Sequence, residues 1–251
     1  MVRPNMAEKV LIKDPKIDEL FKAGAHFGFV KSRRHPSAKP FIFGSKNKIE
    51  IFDLEKVKAE LEKALKFVEE KASEGVALIF VGGKSEARQA VKNSGDALGM
   101  PYVHGRWIGG TLTNFPEIRK RVMKLEDLTT QKEKGELGKY TKKERLLIDR
   151  DIAKLTMYFS GLHLMKALPK VMIVVDPKKE HIAVSEAKRM KIPVVALAGS
   201  DCNLADVEYA IPANDSSISS INLVLSEIVK AYNTGKSRQK APVEAEVTPK
   251  V

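Results

Sequence analysis

Apolar and polar positions along the chain alternate between two periods. Val76–Val81 and Val171–Val175 are unbroken apolar runs, and Ile192–Ala198 is nearly so. Runs of this length read as strands buried on both faces. Between them the period lengthens to that of a helix. Leu54, Val57, Leu61, Leu65 and Val68 mark one over 54–72, and further helices are predicted from about Ser85 to Leu98, Glu180 to Met190, and over 216–232. Ile49–Phe52, Pro101–Val103 and Tyr209–Ile211 add shorter strands. Strand-helix alternation of this kind predicts an α/β fold, a parallel sheet with helices on both faces.

One stretch breaks the alternation. Phe115 to Leu168 has no strand-like run. Ile118, Val122 and Leu125 follow a 4-3 spacing, and Ile148, Ile152, Leu155, Phe159 and Leu162 follow a 4-3-4-3 spacing. Two such helices share a coiled-coil seam. Gly135 and Gly138 lie between them, and Thr141 with Glu144 is a capping-box start for the second. The predicted organisation is an irregular lead-in over 1–15, with Pro15 opening a short helix. One discontinuous α/β domain follows over 16–114 and 169–232, with an antiparallel coiled-coil hairpin inserted at 115–168. The polar stretch 233–251 reads as a disordered tail.

Charge narrows the class of partner. The 251 residues include 44 Lys plus Arg against 32 Asp plus Glu, a net charge of +12. A surplus of this size favours a polyanion. It is concentrated early: Gly28 to Ile49 holds no acid, while Lys31, Arg33, Arg34, Lys39, Lys46 and Lys48 lie on a stretch punctuated by Pro36, Pro40 and Gly44, which reads as mainly extended or looped. Cys202 is the sole cysteine, which excludes an intrachain disulfide framework and a cysteine zinc ribbon. No apolar run is long enough to span a bilayer, and the N-terminus lacks a hydrophobic signal core, so a cytosolic location is expected.

Catalytic signals are weak. VGGKS (Val81–Ser85) follows a strand and opens a helix, where a phosphate cradle would sit, but Leu78 stands where a Walker glycine is needed. The segment reads either as a phosphate contact through Lys84 and Ser85 or as a tight turn. Asp53, Asp176 and Asp201 fall near strand C-termini, the usual site edge of an open α/β sheet, where carboxylates hold Mg²⁺ or serve as caps. The histidines have no metal-ligand spacing. GRWIGGTLTNF (Gly105–Phe115) combines the sole tryptophan with Arg106, Thr111, Thr113 and Asn114, donors suited to phosphate and ribose. Trp107 alternatively anchors the root of the hairpin, with Arg106 outward. Arg119 and Arg121 at the hairpin base complete the candidate RNA contacts. No residue is assigned a catalytic or metal-binding role.

At this loop the chain resembles a known family. GMPYVHGRWIGGTLTNF (Gly99–Phe115) is similar to the signature of the bacterial-type family of protein two of the small ribosomal subunit. So are AHFG (Ala25–Gly28), KPFIFGSKNKIEIFDLEK (Lys39–Lys56), VVDPKKEHIAVSEAK (Val174–Lys188) and the segment Ile192–Val224, all in family order. The resemblance implies a flavodoxin-like domain with a protruding coiled-coil hairpin and a structural role without catalysis or cofactor. It implies contacts to small-subunit rRNA, neighbouring ribosomal proteins and the large mRNA-binding protein number one. The expected location is the ribosome in the bacterial cytosol, with neither a membrane nor a small-molecule substrate as partner. The sequence departs from the family pattern at Phe29 and Val30, where His-Gln is usual. It departs again at Arg34, in place of an aromatic, and at Gly199-Ser200-Asp201, in place of Asp-Thr-Asn. The competing readings are a flavodoxin-like enzyme acting on a nucleotide or phosphoester at Asp53, Asp176 and Lys84, and a coiled-coil adaptor.

Overall fold

A computed structural model describes residues 14–239. Helix α1 (Pro15–Lys22) is capped by the Asp14 side chain. Strands β1 (Phe27–Val30), β2 (Ile42–Lys46) and β3 (Ile49–Phe52) follow, then α2 (Leu54–Ser73), β4 (Leu78–Val81), α3 (Ser85–Leu98) and β5 (Tyr102–Val103). The chain continues through α4 (Phe115–Glu133), α5 (Lys142–Phe159), β6 (Val171–Val175), α6 (His181–Arg189), β7 (Val194–Ala198), β8 (Tyr209–Pro212) and α7 (Ile218–Gln239).

The main sheet has the order β5-β4-β6-β7-β8, with every neighbour parallel. Taken in chain order this is 2-1-3-4-5, the flavodoxin-like arrangement. Each central strand is buried along its whole length because the pleat sends alternate residues to two separate cores. Leu78, Phe80, Ile173, Val195 and Leu197 face α2, α3 and α7. Ile79, Val81, Met172, Val174 and Ala196 face α6, Trp107 and the base of the hairpin.

Helices α4 and α5 form the hairpin, with Lys124–Asp151 at 3.4 Å and Lys132–Asp149 at 2.7 Å joining them. Thr141 and Glu144 make the reciprocal capping box at the start of α5. The two sides of the seam are unequal. Ile118, Val122 and Leu125 are buried, whereas Ile148, Ile152 and Leu155 are half-buried.

One expectation is sharpened and one corrected. The basic segment from Gly28 to Ile49, expected to be mainly extended or looped, supplies extended strands: β1, β3 and β2 pair as a small antiparallel sheet. Asn47 and Lys48, with φ of 52° and 69°, close the β2–β3 hairpin in the left-handed conformation such two-residue turns require. The expected tail begins too early, since α7 continues to Gln239. Gly235 makes this possible. A Cβ there would lie 2.2 Å from the carbonyl oxygen of Glu69, so glycine lets α7 press onto α2, and Arg238 then pairs with Glu69 at 2.7 Å. The rest of that tail, and most of the lead-in, lie outside the described residues.

Candidate nucleic-acid interface

The basic segment is pinned to the C-terminal edge of the main sheet by short polar contacts. Phe29 N–H donates to Ser200 Oγ at 2.8 Å, His35 N–H donates to the Ser200 carbonyl at 2.9 Å, and Leu204 N–H donates to Ser37 Oγ at 3.0 Å. Lys31, Lys39, Lys46 and Lys48 are exposed on it. Arg33 is also exposed, lying 4.7 Å over the Phe29 ring and 3.5 Å from Asp201. Arg34 points the other way. Its guanidinium meets the buried Glu50 at 2.7 Å, so it neutralises an internal acid rather than offering a free phosphate contact.

The Trp107 loop is organised by a residue that the sequence did not single out. Glu186, on α6, is buried and accepts from Trp107 Nε1 at 3.1 Å and Gly110 N at 2.7 Å. It also accepts from Leu112 N at 3.0 Å, Thr113 N at 3.2 Å and Thr113 Oγ1 at 3.3 Å. Burial alone would raise its carboxyl pKa. The hydrogen bonds from Gly110, Leu112, Trp107 and Thr113 outweigh that and hold it below the ordinary 4.5. The loop's donors therefore face an internal anion. Thr113 is engaged by Glu186, and Thr111 is buried with its hydroxyl donating to the Ile108 carbonyl at 2.6 Å. Of the loop candidates, Arg106, Thr113 and Asn114 are exposed, Thr113 with its hydroxyl turned to Glu186.

At the hairpin base Arg121 is exposed, while Arg119 is half-buried with its Nη1 enclosed. Arg121 lines a cleft of about 590 Å³ with Lys124, Lys154, Glu117 and Asp151 over an apolar floor of Ile118, Leu155 and Phe159. The basic segment and the hairpin base thus carry separate groups of exposed cations.

The residues weighed for catalysis are engaged structurally. Asp53 caps α2, accepting from Glu55 N at 3.2 Å. Gly83 N–H, the donor a phosphate would need, instead donates to Glu180 Oε1 at 3.1 Å. A Cβ at Gly83 would sit 2.4 Å from the Gly105 carbonyl oxygen, so this glycine serves a close backbone crossing. Lys84 places its ammonium 3.0 Å from Asp215 and 3.3 Å from Asp176. Among the described residues, Asp176, Cys202 and Asp215 bring donor atoms within 4.8 Å of one another. Lys84 already pairs with both carboxylates of that cluster, and burial pushes the Cys202 thiol far up, keeping the sulfur protonated and a poor ligand. Two departures from the family pattern meet here. A side chain at Gly199 would lie 2.8 Å from Asp215 Oδ1 and 3.0 Å from the Phe29 ring, so Gly199 makes room for Phe29.

The fold and these surfaces define a class: a basic α/β protein of flavodoxin-like strand order, bearing a helical hairpin and exposed cations at the sheet edge and hairpin root. Comparison with known proteins narrows the class. The family model for ribosomal protein S2 matches residues 20–235. The small ribosomal subunit protein uS2 of Thermus thermophilus is 43% identical over 213 residues, covering 85% of this chain and 83% of the relative. The protein of the same name from Coprothermobacter proteolyticus is 40% identical over 230 residues, covering 92% and 86%. That from Sulfurimonas denitrificans is 42% identical over 219 residues, covering 87% and 85%. The chain belongs to the ribosomal protein S2 family.

Proposed function

We propose that this chain is a structural constituent of the small ribosomal subunit, acting in translation by binding small-subunit rRNA and neighbouring ribosomal proteins. The observation that carries the reading is the family match over nearly the whole described chain, and the exposed cations supply a physical basis for it. Lys31, Arg33, Lys39, Lys46 and Lys48 on the basic segment, with Arg106, Asn114 and Arg121 near the hairpin root, are the proposed rRNA contacts. Arg34 and Thr111 support the interface from inside, while Thr113 is exposed with its hydroxyl on Glu186 and Arg119 is half-buried. Protein neighbours, the large mRNA-binding protein number one among them, would find an apolar surface on the outer side of the small sheet, where Phe27, Val30, Phe43 and Ile49 are exposed. The protein acts without catalysis and resides in the cytoplasm on the ribosome. Among the described residues, no helix is long and apolar enough to cross a membrane.

Replacing Lys31, Lys39 and Lys46 together by Gln tests the RNA reading. Each phosphate neutralised adds about 0.7–0.9 to the slope of log K against log salt, so the triple variant should flatten that slope by about 2 and keep its thermal midpoint. An unchanged slope would remove the basic segment from the interface. Failure of the wild type to co-sediment with small subunits would remove the ribosomal reading itself. The enzyme alternative lacks support, because Asp53, Asp176 and Lys84 are a cap and members of an internal ion cluster.

A further inference from the structure

In open α/β sheets, ligands bind at the carboxyl edge where the strand order reverses. Here that point lies between β4 and β6. The turn after β4, the Gly105–Trp107 segment after β5 and the start of α6 enclose a crevice of about 300 Å³ there. This is at the lower end of the range for enclosed small-molecule sites and open enough for a chain to pass through. Its charged rim is Arg88 from α3, Arg106 from the loop and Lys179 from the turn before α6.

These cations lack partners of the usual kind. Among the described residues none of the three is ion-paired, and Lys179 Nζ reaches only the Gly83 carbonyl, at 3.4 Å. Two acids stand close enough to Lys179 to feel its charge, and neither pairs with it directly. Glu180 is buried and accepts from Gly83 N–H, while Glu86 accepts from Ser85 Oγ at 2.8 Å. Lys84 pairs with both Asp176 and Asp215, so that cluster keeps one formal negative charge against the three positive charges of the rim. Burial, then the neighbouring Lys92 and Arg88, hold His104 below its ordinary value, with Asp96 opposing them. Ile182 lies exposed on the same crevice and offers an apolar edge beside the cations.

We propose that this crevice is an rRNA-binding site, in which Arg88, Arg106 and Lys179 clasp successive phosphates of an RNA strand crossing the β4/β6 switch point. The proposal rests on the ribosomal reading and adds to the contact already proposed at Arg106 the crevice itself and its two further cations, Arg88 and Lys179. Guanidinium groups pair bidentately with phosphate oxygens, and Ile182 would lie against ribose or base. The floor of the crevice is closed by Glu180 on Gly83, so the ligand lies across the opening rather than in a nucleotide pocket.

The test compares the full-length wild type with the Arg88→Gln, Arg106→Gln, Lys179→Gln triple variant in binding to small-subunit rRNA over a range of salt. The expected result is a slope flatter by about 2 with an unchanged thermal midpoint, since the side chains of Arg88, Arg106 and Lys179 are all exposed. The same slope and affinity in variant and wild type would overturn the proposal while leaving the ribosomal reading intact. Absence of any salt-dependent rRNA binding by the wild type would overturn both. Loss of a neighbouring ribosomal protein from reconstituted subunits, with rRNA affinity preserved, would overturn the RNA assignment and make the crevice a protein contact. Inorganic phosphate and a mononucleotide are titrated against the Arg106 side-chain NMR signal to separate free ligands from RNA. Weak, unsaturated shifts are expected, and tight saturable binding that RNA fails to displace would overturn the proposal.

Discussion

Replacing Glu186 by alanine should collapse the order of the Trp107 loop and cost about 4 kcal/mol of stability. The magnitude follows from what the carboxylate holds. It accepts five hydrogen bonds, and two of the donors, Trp107 Nε1 and Leu112 N, are buried. A buried donor left without a partner costs about 1–3 kcal/mol, so these two account for about 2–6 kcal/mol. The Gly110 and Thr113 donors are partly exposed and recover water. Since domains are stable by about 5–15 kcal/mol, the variant should fold, but with a much lower urea midpoint. Trp107 is the sole tryptophan and is buried, so its fluorescence reports this loop alone. The variant's native emission should shift to the red while far-ultraviolet circular dichroism stays close to wild type. Glu186→Gln should lose less, because one amide oxygen still accepts, although its NH₂ then faces donors.

The pH dependence has a defined sign. The folded pKa of Glu186 lies below its ordinary 4.5. Its contribution is therefore present above the unfolded value and is lost as pH falls through the folded one. The stability gap between wild type and Glu186→Gln should close in acid below about pH 4.5. A loss under about 1 kcal/mol in the alanine variant, with unchanged Trp107 emission, would refute the assignment of Glu186 as the anchor of the loop.

Other outcomes follow from the same geometry. Val122→Asp places an unpaired carboxylate in the buried half of the hairpin seam and should cost about 3 kcal/mol or more, whereas Ile152→Asp on the half-buried side should cost less; amide exchange across α4 and α5 compares them. Lys84→Ala leaves the buried Asp215 and its neighbour Asp176 facing each other and should destabilise by about 3–5 kcal/mol in urea titration. Cys202 is buried and its thiol is pushed up by that burial, so alkylation at neutral pH should track global unfolding; fast labelling of the native protein would contradict its placement.

The parallel sheet, the helices that flank it, the helix pair α4 and α5 and the basic character of the molecule are legible in the chain. Those features are written in local periodicity: strands covered on both faces are apolar throughout, and a 4-3 spacing marks a helix seam within a few turns. The capping box of Thr141 and Glu144 was legible because both partners lie three residues apart. The β2–β3 hairpin is harder to see, since Lys46, Asn47 and Lys48 read as part of a charged loop, and Asn47 ahead of the alternating Ile49 and Ile51 is its one local signal. Which charges and donors are available emerges only in the folded chain. Arg34 looks like its neighbours along the chain, yet Glu50 claims it, while Arg33 stays exposed. The Thr111 and Thr113 hydroxyls look like ribose contacts, yet one is turned inward and the other meets Glu186, far along the chain on α6. Lys84 likewise meets Asp215 from across the sheet edge. A charge carries the same letter whether it is paired or free. Pairing depends on which distant carboxylate the crossings of the chain bring within about 3 Å, and that distance is set by the packing of helices on the sheet rather than by any local pattern.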